Sequence, residues 1–213
     1  MKNSTYLIIL LALGLVFVSY KWISTASVDC DAAVSAQTSP ASSTYEDIMT
    51  RASVRAYSDR AVSGAAVDSL LKAAMAAPTA GNKQPWRFVV VRDRKTLDYI
   101  GDNFNSMTMM KQAPLAVVVC GELAATFPDE GVGYWIQDTS AATENLLLAA
   151  HAIGLGAVWC GVYPMSDHVK KFSGLLHLPE GIVPLNCIAI GYPSVSPSPK
   201  NKWNPEYVHY ESY

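Results

Sequence analysis

The sequence predicts a domain that mixes helices and strands, of the α+β or α/β class. Segments with apolar residues at helical spacing alternate along the chain with short apolar, β-branched segments. Half of the 213 residues are hydrophobic and only 16% are charged, which is a globular composition. The formal net charge is −2 and no basic stripe stands out, which argues against nucleic acid as a partner.

The N-terminus has the pattern of a targeting segment. Residues 6–20 are uncharged and largely apolar, with Lys2 before them and Lys21 after them. This length fits the hydrophobic region of a signal peptide and is short for a membrane span of about 20 residues. Small residues at 24–26 suit a cleavage site. A cleaved export signal and an uncleaved membrane anchor both remain open, with a buried core helix as a third alternative.

The chain is therefore divided into three predicted parts. Residues 1–26 form the signal peptide or anchor, and residues 6–23 would be the membrane tether in the second case. Residues 27–43, rich in Ser, Ala and Thr, form a flexible linker. Residues 44–213 form the folded domain. We expect a membrane-anchored or exported protein, with the side of the membrane left open.

Each element of the folded part has a local signal. Ser43 and Thr44 suit the start of a helix that runs to Arg51, and Ser63 suits the cap of a second helix that ends before Pro78. The remaining predicted elements are a strand over 86–91, a helix over 96–100, a strand over 115–120, a long helix over 134–154, a strand over 157–162, a helix over 166–175 capped by Ser166 and Asp167, and a strand over 186–191.

Two segments predict which surfaces of the domain are buried, one inside the domain and one against a partner. The centre of the long helix, residues 141–153, is apolar nearly all round, which predicts burial on most of its faces. The tail from residue 193 to 213 is irregular and yet aromatic, with Trp203, Tyr207 and Tyr210. Exposed aromatic residues usually need a surface to pack on, and a partner subunit is the natural candidate.

The first candidate site is the segment that follows the first helix. Arg51, Ser53 and Arg55 alternate, so in an extended chain all three point to one side. Two guanidiniums and a hydroxyl can clamp a phosphate, because Arg supplies planar donors that are always charged. An ordinary solvated surface explains the same pattern.

The second candidate site is the loop over residues 78–86. Asn82 and Gln84 each carry a hydrogen-bond donor and an acceptor, which suits a ring with carbonyl and N–H edges. Gly81 permits a close approach of the backbone, and Pro78 closes the preceding helix. Proline, glycine and asparagine also simply mark loops.

Two further candidates complete the list. The strand that follows the long helix ends at Cys160 and Gly161, whose backbone N–H groups could donate to a ligand ring; an ordinary helix–strand connection is the alternative. Lys200 and Lys202 could complete a phosphate pocket or be solvated residues of the tail.

Other catalytic signals are missing from the sequence. There is no Ser-His-Asp order, HExxH, P-loop or GxSxG motif, and no metal site is predicted. Asp138 and Glu144 lie six residues apart on the long helix and do not share a face, so a carboxylate pair is not expected. The four cysteines, Cys30, Cys120, Cys160 and Cys187, lack metal-like spacing, and the sequence cannot name a disulfide pair. The last three lie in apolar, strand-like runs and are expected to be small buried hydrophobes.

The order and spacing of these signals resemble the FMN-dependent nitroreductase family over about residues 44–211. The matching motifs are RASVRAYSDRAV (51–62), AAMAAPTAGNKQPWRFVVV (73–91), QAPLAVVV (112–119), YWIQDTSAATENLLLAAHAIGLGAVWCG (134–161), IVPLNCIAIGYP (182–193) and KNKWNPEYVH (200–209).

The resemblance implies an α+β, three-layer fold with a central, mainly antiparallel sheet of four or five strands flanked by helices. It also implies a homodimer with FMN at the subunit interface and a C-terminal extension that wraps the partner. By position, Arg51, Ser53, Arg55, Lys200 and Lys202 would hold the phosphate end. The same resemblance assigns the ring end to Pro78, Asn82, Gln84, Cys160 and Gly161.

The activity implied by the resemblance is a ping-pong reaction. NAD(P)H would pass hydride to the flavin N5, and a nitroaromatic, quinone or similar small molecule would then accept it, with no obligatory catalytic side chain. Two alternatives remain. One is a relative with other flavin chemistry, such as reductive dehalogenation or flavin breakdown. The other is a non-catalytic flavin-binding module. The sequence does not decide between NADH and NADPH.

Overall fold

The computed structural model describes residues 44–213. The chain divides into two units, residues 1–46, of which only 44–46 are described, and residues 47–213. The predicted signal or anchor, the membrane tether and the linker lie outside the described residues. The division at residues 26 and 43 therefore stays a prediction.

Five α-helices and four strands occur in the described residues, together with short 3-10 turns. In chain order they are α1 (44–50), α2 (Gly64–Met75), β1 (Trp86–Val91), α3 (Arg94–Asn103), β2 (Leu115–Glu122), α4 (Tyr134–Ala152), β3 (Gly156–Gly161), α5 (Ser166–Leu175) and β4 (Ile182–Gly191). The 3-10 turns at 105–111, 123–125 and 129–133 were not predicted from the sequence.

The four strands form one sheet in the order β1-β2-β4-β3, and every neighbouring pair is antiparallel. The antiparallel pairing decides between the two predicted classes, and the α+β class is confirmed. The register places Phe88, Val119, Asn186 and Gly161 in one row across the sheet. The beginning of β1 and the end of β3 therefore lie at the same end of the sheet but at opposite edges.

Helices cover both faces of the sheet, which gives the three layers that were predicted. One face packs on α2 and α4, through residues such as Leu70, Leu146 and Ile188. The other face packs on α3, α5 and the 105–111 turn, through residues such as Ile100 and Phe172. Successive side chains of a strand point to opposite faces, so each strand contributes to both cores.

The long helix α4 is buried as its apolar centre predicts. No residue between 138 and 151 is exposed. Its first turn packs especially closely, because a Cβ built on Gly121 at the end of β2 would lie 2.3 Å from the ring of Trp135. Glycine at this point of β2 allows α4 to approach the sheet.

The helix starts follow the capping signals in part. The Ser63 hydroxyl accepts a hydrogen bond from the Ala66 N–H (3.1 Å) at the start of α2, as predicted. The cap predicted for α5 is wrong, because the N-cap is Met165 and makes no side-chain hydrogen bond. Ser166 and Asp167 instead lie within the first turn of α5, where an acidic side chain complements the helix dipole.

The predicted location is corrected. A membrane-anchored or exported protein was expected from the N-terminal segment, which lies outside the described residues. Across residues 44–213, none of the helices combines the length and the apolar character that crossing a bilayer requires. The prediction is contradicted and is not retained.

The close contact between β2 and α4 can be tested by adding a single methyl group at Gly121. We expect Gly121→Ala to lower the free energy of unfolding by about 1–3 kcal/mol, since the new Cβ overlaps the Trp135 ring. Urea denaturation measures this change. Gly133→Ala is the matched control, because Gly133 has helical angles (φ −63°, ψ −15°) and open space around it. Equal stability of the two variants would contradict the packing described for α4.

Candidate functional site

The segment with the two predicted guanidiniums runs beside β3. Ser53 forms a parallel bridge with Ala157, and the Val54 N–H donates to the Ala157 carbonyl (3.0 Å). A Cβ on Gly156 would lie 2.7 Å from Val54, so glycine is what lets the segment come this near. The buried Tyr57 hydroxyl donates to the Val54 carbonyl (2.6 Å). The segment is thus extended and fixed, and Ser53 and Arg55 face solvent while Val54 is buried.

This pairing brings Arg55 towards the end of β3. Burial raises the pKa of the Cys160 thiol to about 11, and the nearby Arg55 guanidinium opposes that rise. The thiol points into the core, where its Sγ lies 3.8 Å from the Ser106 carbonyl. Gly161 is exposed, and a Cβ there would meet nothing within 4 Å. The end of β3 therefore presents its backbone to an open space near Arg55.

Arg51 is held by the long helix. Its Nε lies 3.0 Å from the Glu144 Oε1 on α4, and its side chain is 19% exposed. A cavity of about 210 Å³ adjoins Arg51 and is lined largely by apolar residues, among them Leu147, Leu155 and Pro193. The ion pair fixes the guanidinium at the rim of this cavity.

The amide-rich loop forms a tight turn before β1. Asn82 and Gln84 are exposed, and the Gln84 Nε2 donates to the Asn82 Oδ1 (2.9 Å). That bond does not use the Asn82 Nδ2 or the Gln84 Oε1, so the pair offers one donor and one acceptor side by side. Pro78, at the start of the loop, is also exposed.

The backbone of this turn has unusual angles. Three residues adopt left-handed conformations, with φ of 55° at Gly81, 54° at Asn82 and 50° at Gln84. Glycine adopts this region at no cost and asparagine at little cost, whereas a glutamine there is uncommon. The turn is held by the Thr79 hydroxyl, which accepts from the Gln84 N–H (3.2 Å), and by Asp138.

Asp138 and Glu144 are the site residues that the sequence did not reveal as such. Asp138 on α4 accepts from the Ala80 N–H through its Oδ1 (2.9 Å), while Glu144 pairs with Arg51. The two carboxylates were correctly excluded as a mutual pair, but each holds a different part of the candidate site. The available signal was that these are the only two acidic residues of the largely buried helix α4.

Within one chain the two parts of the candidate site lie at opposite edges of the sheet. Arg55 and Cys160 lie near the outer strand β3, and the loop that carries Asn82 and Gln84 leads into the outer strand β1. Three strand spacings of about 4.8 Å separate these strands, so the two parts are roughly 14 Å apart across the sheet.

The two predicted lysines lie in the tail. Lys200 and Lys202 are exposed. The tail is irregular apart from a 3-10 turn at Pro205–Tyr207. Its aromatic side chains are largely exposed in the single chain, at 71% for Trp203, 80% for Tyr207 and 83% for Tyr210.

The described cysteines are buried thiols near one another. Cys160 and Cys187 are opposite each other on β3 and β4, and Cys120 belongs to the same core. None of the three forms a disulfide. Across the described residues there is also no group of three or more His, Cys, Asp or Glu side chains that could hold a metal ion.

The fold defines the class of protein. It is a three-layer α+β domain of the nitroreductase type, and known proteins match it over most of its length. The model of the nitroreductase family matches residues 48–108 and 101–192. A protein of Archaeoglobus fulgidus named "Putative NADH dehydrogenase/NAD(P)H nitroreductase" is 43% identical over 170 residues, covering 78% of this chain and 96% of the relative.

Solved structures agree with this match. A protein of the same name from Parabacteroides distasonis is 42% identical with a TM-score of 0.77, and the match covers 80% of this chain and 99% of that one. An FMN-dependent nitroreductase from Clostridium difficile is 28% identical with a TM-score of 0.71, covering 78% and 98%. The chain belongs to the nitroreductase family, which confirms the predicted family and fold.

The buried thiols predict a loss of stability at alkaline pH. Burial raises the pKa of Cys160 from 9.0 to about 11 and that of Cys120 from 9.0 to about 12. At a pH between the ordinary pKa and the raised pKa of each thiol, the folded state keeps a proton that the unfolded state releases. The free energy of unfolding should therefore fall as pH rises above about 9, by up to about 1.4 kcal/mol per pH unit for each group.

Chemical denaturation at a series of pH values from 8 to 11 measures this slope. Cys160→Ala should make the slope shallower, because it removes one of the titrating groups. A free energy of unfolding that stays constant up to pH 11 would contradict the burial of the thiols.

Proposed function

We propose that this protein is an FMN-dependent oxidoreductase that takes hydride from NAD(P)H and passes it to a nitroaromatic, a quinone or a similar small molecule. Membership of the nitroreductase family confirms the predicted enzyme class and cofactor. The acceptor and the positions of the cofactor contacts are our proposal. The main support for these contacts is the pairing of Ser53 with Ala157. It places the guanidinium segment, residues 51–55, beside the strand that ends at Cys160 and Gly161.

The guanidinium segment fits the phosphate end of FMN. Arg51, Ser53 and Arg55 belong to one extended, fixed segment, and Ser53 and Arg55 face solvent. Arginine supports planar, two-pronged hydrogen bonding to phosphate oxygens. Arg51 reaches the site already oriented by Glu144, so it would keep one donor on the carboxylate and turn others to the ligand. Lys200 and Lys202 would add positive charge from the tail.

The flavin ring fits the open end of β3 and the amide-rich turn. FMN supplies hydride transfer at its N5 atom, and the protein supplies orientation and hydrogen bonds that tune the ring. The backbone N–H of Gly161, beside Cys160, points away from β4 and would donate to the ring, and the glycine leaves space for the ring's approach. The Asn82 amide nitrogen and the Gln84 amide oxygen would bind its polar edge, with Pro78 beside them.

A homodimer would bring these parts together. In one chain the turn and the guanidinium segment are separated by the width of the sheet. A flavin between two subunits could contact the turn of one chain and Arg55 of its partner. The exposed aromatic side chains of the tail, led by Trp203 and Tyr207, support this arrangement because a second subunit would cover them.

The proposed activity has a direct spectroscopic test. The purified protein should be yellow, and anaerobic addition of NADH or NADPH should bleach the flavin absorbance. Addition of a nitroaromatic compound or a quinone should then restore the colour. Titration with each nicotinamide separately gives the donor preference. Bound flavin that no nicotinamide bleaches would disprove the proposed activity.

The shared site can be tested with mixed subunits. Arg51→Ala combined with Arg55→Ala should remove most bound FMN, because the phosphate loses its charged donors. Asn82→Ala should weaken binding at the ring end. Refolding these two variants together should restore intact sites in mixed dimers, where one site has both wild-type halves. Flavin content and activity measure this recovery.

Refolding each variant alone is the control, since neither can then assemble an intact site. Full flavin content in the double variant would refute the phosphate assignment. Failure of the mixture to recover above the single-variant controls would place both halves of the site in the same chain.

A further inference from the structure

The turn at residues 79–84 cannot hold its conformation by local preference alone. Residues 81, 82 and 84 all have positive φ angles, and only the first of them is glycine. Such angles persist only where the surroundings determine them, and they concentrate at functional sites. The turn also carries the exposed amides of Asn82 and Gln84. Whatever fixes the turn therefore fixes the direction of these two side chains.

One buried carboxylate reaches the turn from the long helix. Asp138 is 4% exposed, and its Oδ1 accepts from the Ala80 N–H at 2.9 Å. Ala80 is the first residue of the 3-10 turn Ala80–Asn82, whose N-cap, Thr79, makes no side-chain cap hydrogen bond. The first N–H groups of a helical turn need an acceptor from outside that turn. The carboxylate on α4 is that acceptor.

Contact between α2 and α4 does not explain the presence of Asp138, because burial of its carboxylate lowers the stability of the folded state. Its second oxygen, Oδ2, is buried without a hydrogen-bond partner in the described residues. A buried polar atom without a partner costs stability, and a buried charge costs more. The contact between α2 and α4 already has a large apolar core, including Leu70 and Leu146. Packing of the helices alone does not require an aspartate here.

We propose that Asp138 is a positioning residue for the flavin-binding turn. It holds the Ala80 N–H, and through it the left-handed residues that follow, so that the Asn82 and Gln84 amides face the ring. This inference rests on the proposed function for its ligand, but the contact itself belongs to the protein without flavin. Asp138 touches neither the substrate nor the cofactor in this arrangement.

A neighbouring residue on α4 provides a matched control. The Asn145 Nδ2 donates to the Ala73 carbonyl at the end of α2 (3.1 Å). This bond, like that of Asp138, joins α4 to the backbone near the α2–β1 connection, but it does not reach the turn. Asn145→Ala should therefore reproduce a loss of helix–helix bonding without a loss of turn geometry.

The first experiment uses the protein without flavin. Hydrogen exchange of backbone amides by NMR should show the Ala80 amide exchanging about tenfold faster or more in Asp138→Ala than in wild type. The amides of residues 82 and 84 should follow in the same direction. Asp138→Asn keeps an acceptor oxygen but lacks the charge, so its exchange rates should lie between those of wild type and Asp138→Ala. Asn145→Ala should leave all three amides unchanged.

The second experiment uses the flavin-loaded protein. Asp138→Ala should raise the Kd for FMN by about tenfold, and it should change the shape of the visible absorption and circular dichroism bands, which report the surroundings of the ring. Asp138→Asn should recover most of the affinity and the wild-type band shape. Asn145→Ala should leave both unchanged. Thermal denaturation of all three variants records how much of any change is a general loss of stability.

The outcomes separate the two proposals. If Asp138→Ala leaves the exchange of the Ala80 amide as in wild type, the positioning role is refuted, whatever the protein binds. If the exchange rates change as expected but wild type binds no FMN, the contact stands and the proposed function fails. If the flavin spectrum and affinity are identical in wild type and Asp138→Ala, the turn does not orient the ring.

Discussion

The structure depends on the packing of α4 against one face of the antiparallel sheet. This helix has no exposed residue between 138 and 151, and Gly121 allows its first turn to approach β2 closely. Two side chains of this buried helix contact different parts of the candidate site. Asp138 bonds to the turn before β1, and Glu144 pairs with Arg51 beside β3. One apolar interface thus determines the place of two polar contacts that lie about 9 Å apart along the helix axis.

The candidate site combines fixed backbone with exposed donors. Val54 and Tyr57 are buried, while Ser53 and Arg55, on the same segment, face solvent. This alternation lets the core hold the segment and leaves its polar side chains available. The turn at 79–84 obtains the same result in another way, because its backbone is held by Thr79 and Asp138 while its amides point outward. A preorganised site of this kind loses little freedom when a ligand binds.

The sequence predicted the elements well and their long-range relations poorly. Helical spacing located α2 and α4, and apolar β-branched runs located the four strands, since both patterns follow directly from burial. Strand direction was open from the residues alone and followed only from the family resemblance. The local sequence marked Asp138 and Glu144 as acidic residues of a buried helix but did not give their roles, because their partners, Ala80 and Arg51, lie 58 and 93 residues away in the chain. The left-handed angle of Gln84 was equally hidden, as tertiary contacts impose it against the residue's own preference.

The two edges of the sheet differ in protection. The outer side of β3 is covered by the bridge between Ser53 and Ala157, whereas no further strand among the described residues lies beyond β1. Uncovered edge strands offer unpaired backbone groups to other chains, and charged side chains discourage such contacts. Arg87 is the charge on β1, and the apolar run from Phe88 to Val91 follows it directly. Aggregation of the isolated subunit would therefore begin at β1, and replacing Arg87 with an apolar residue would remove the charge that opposes it.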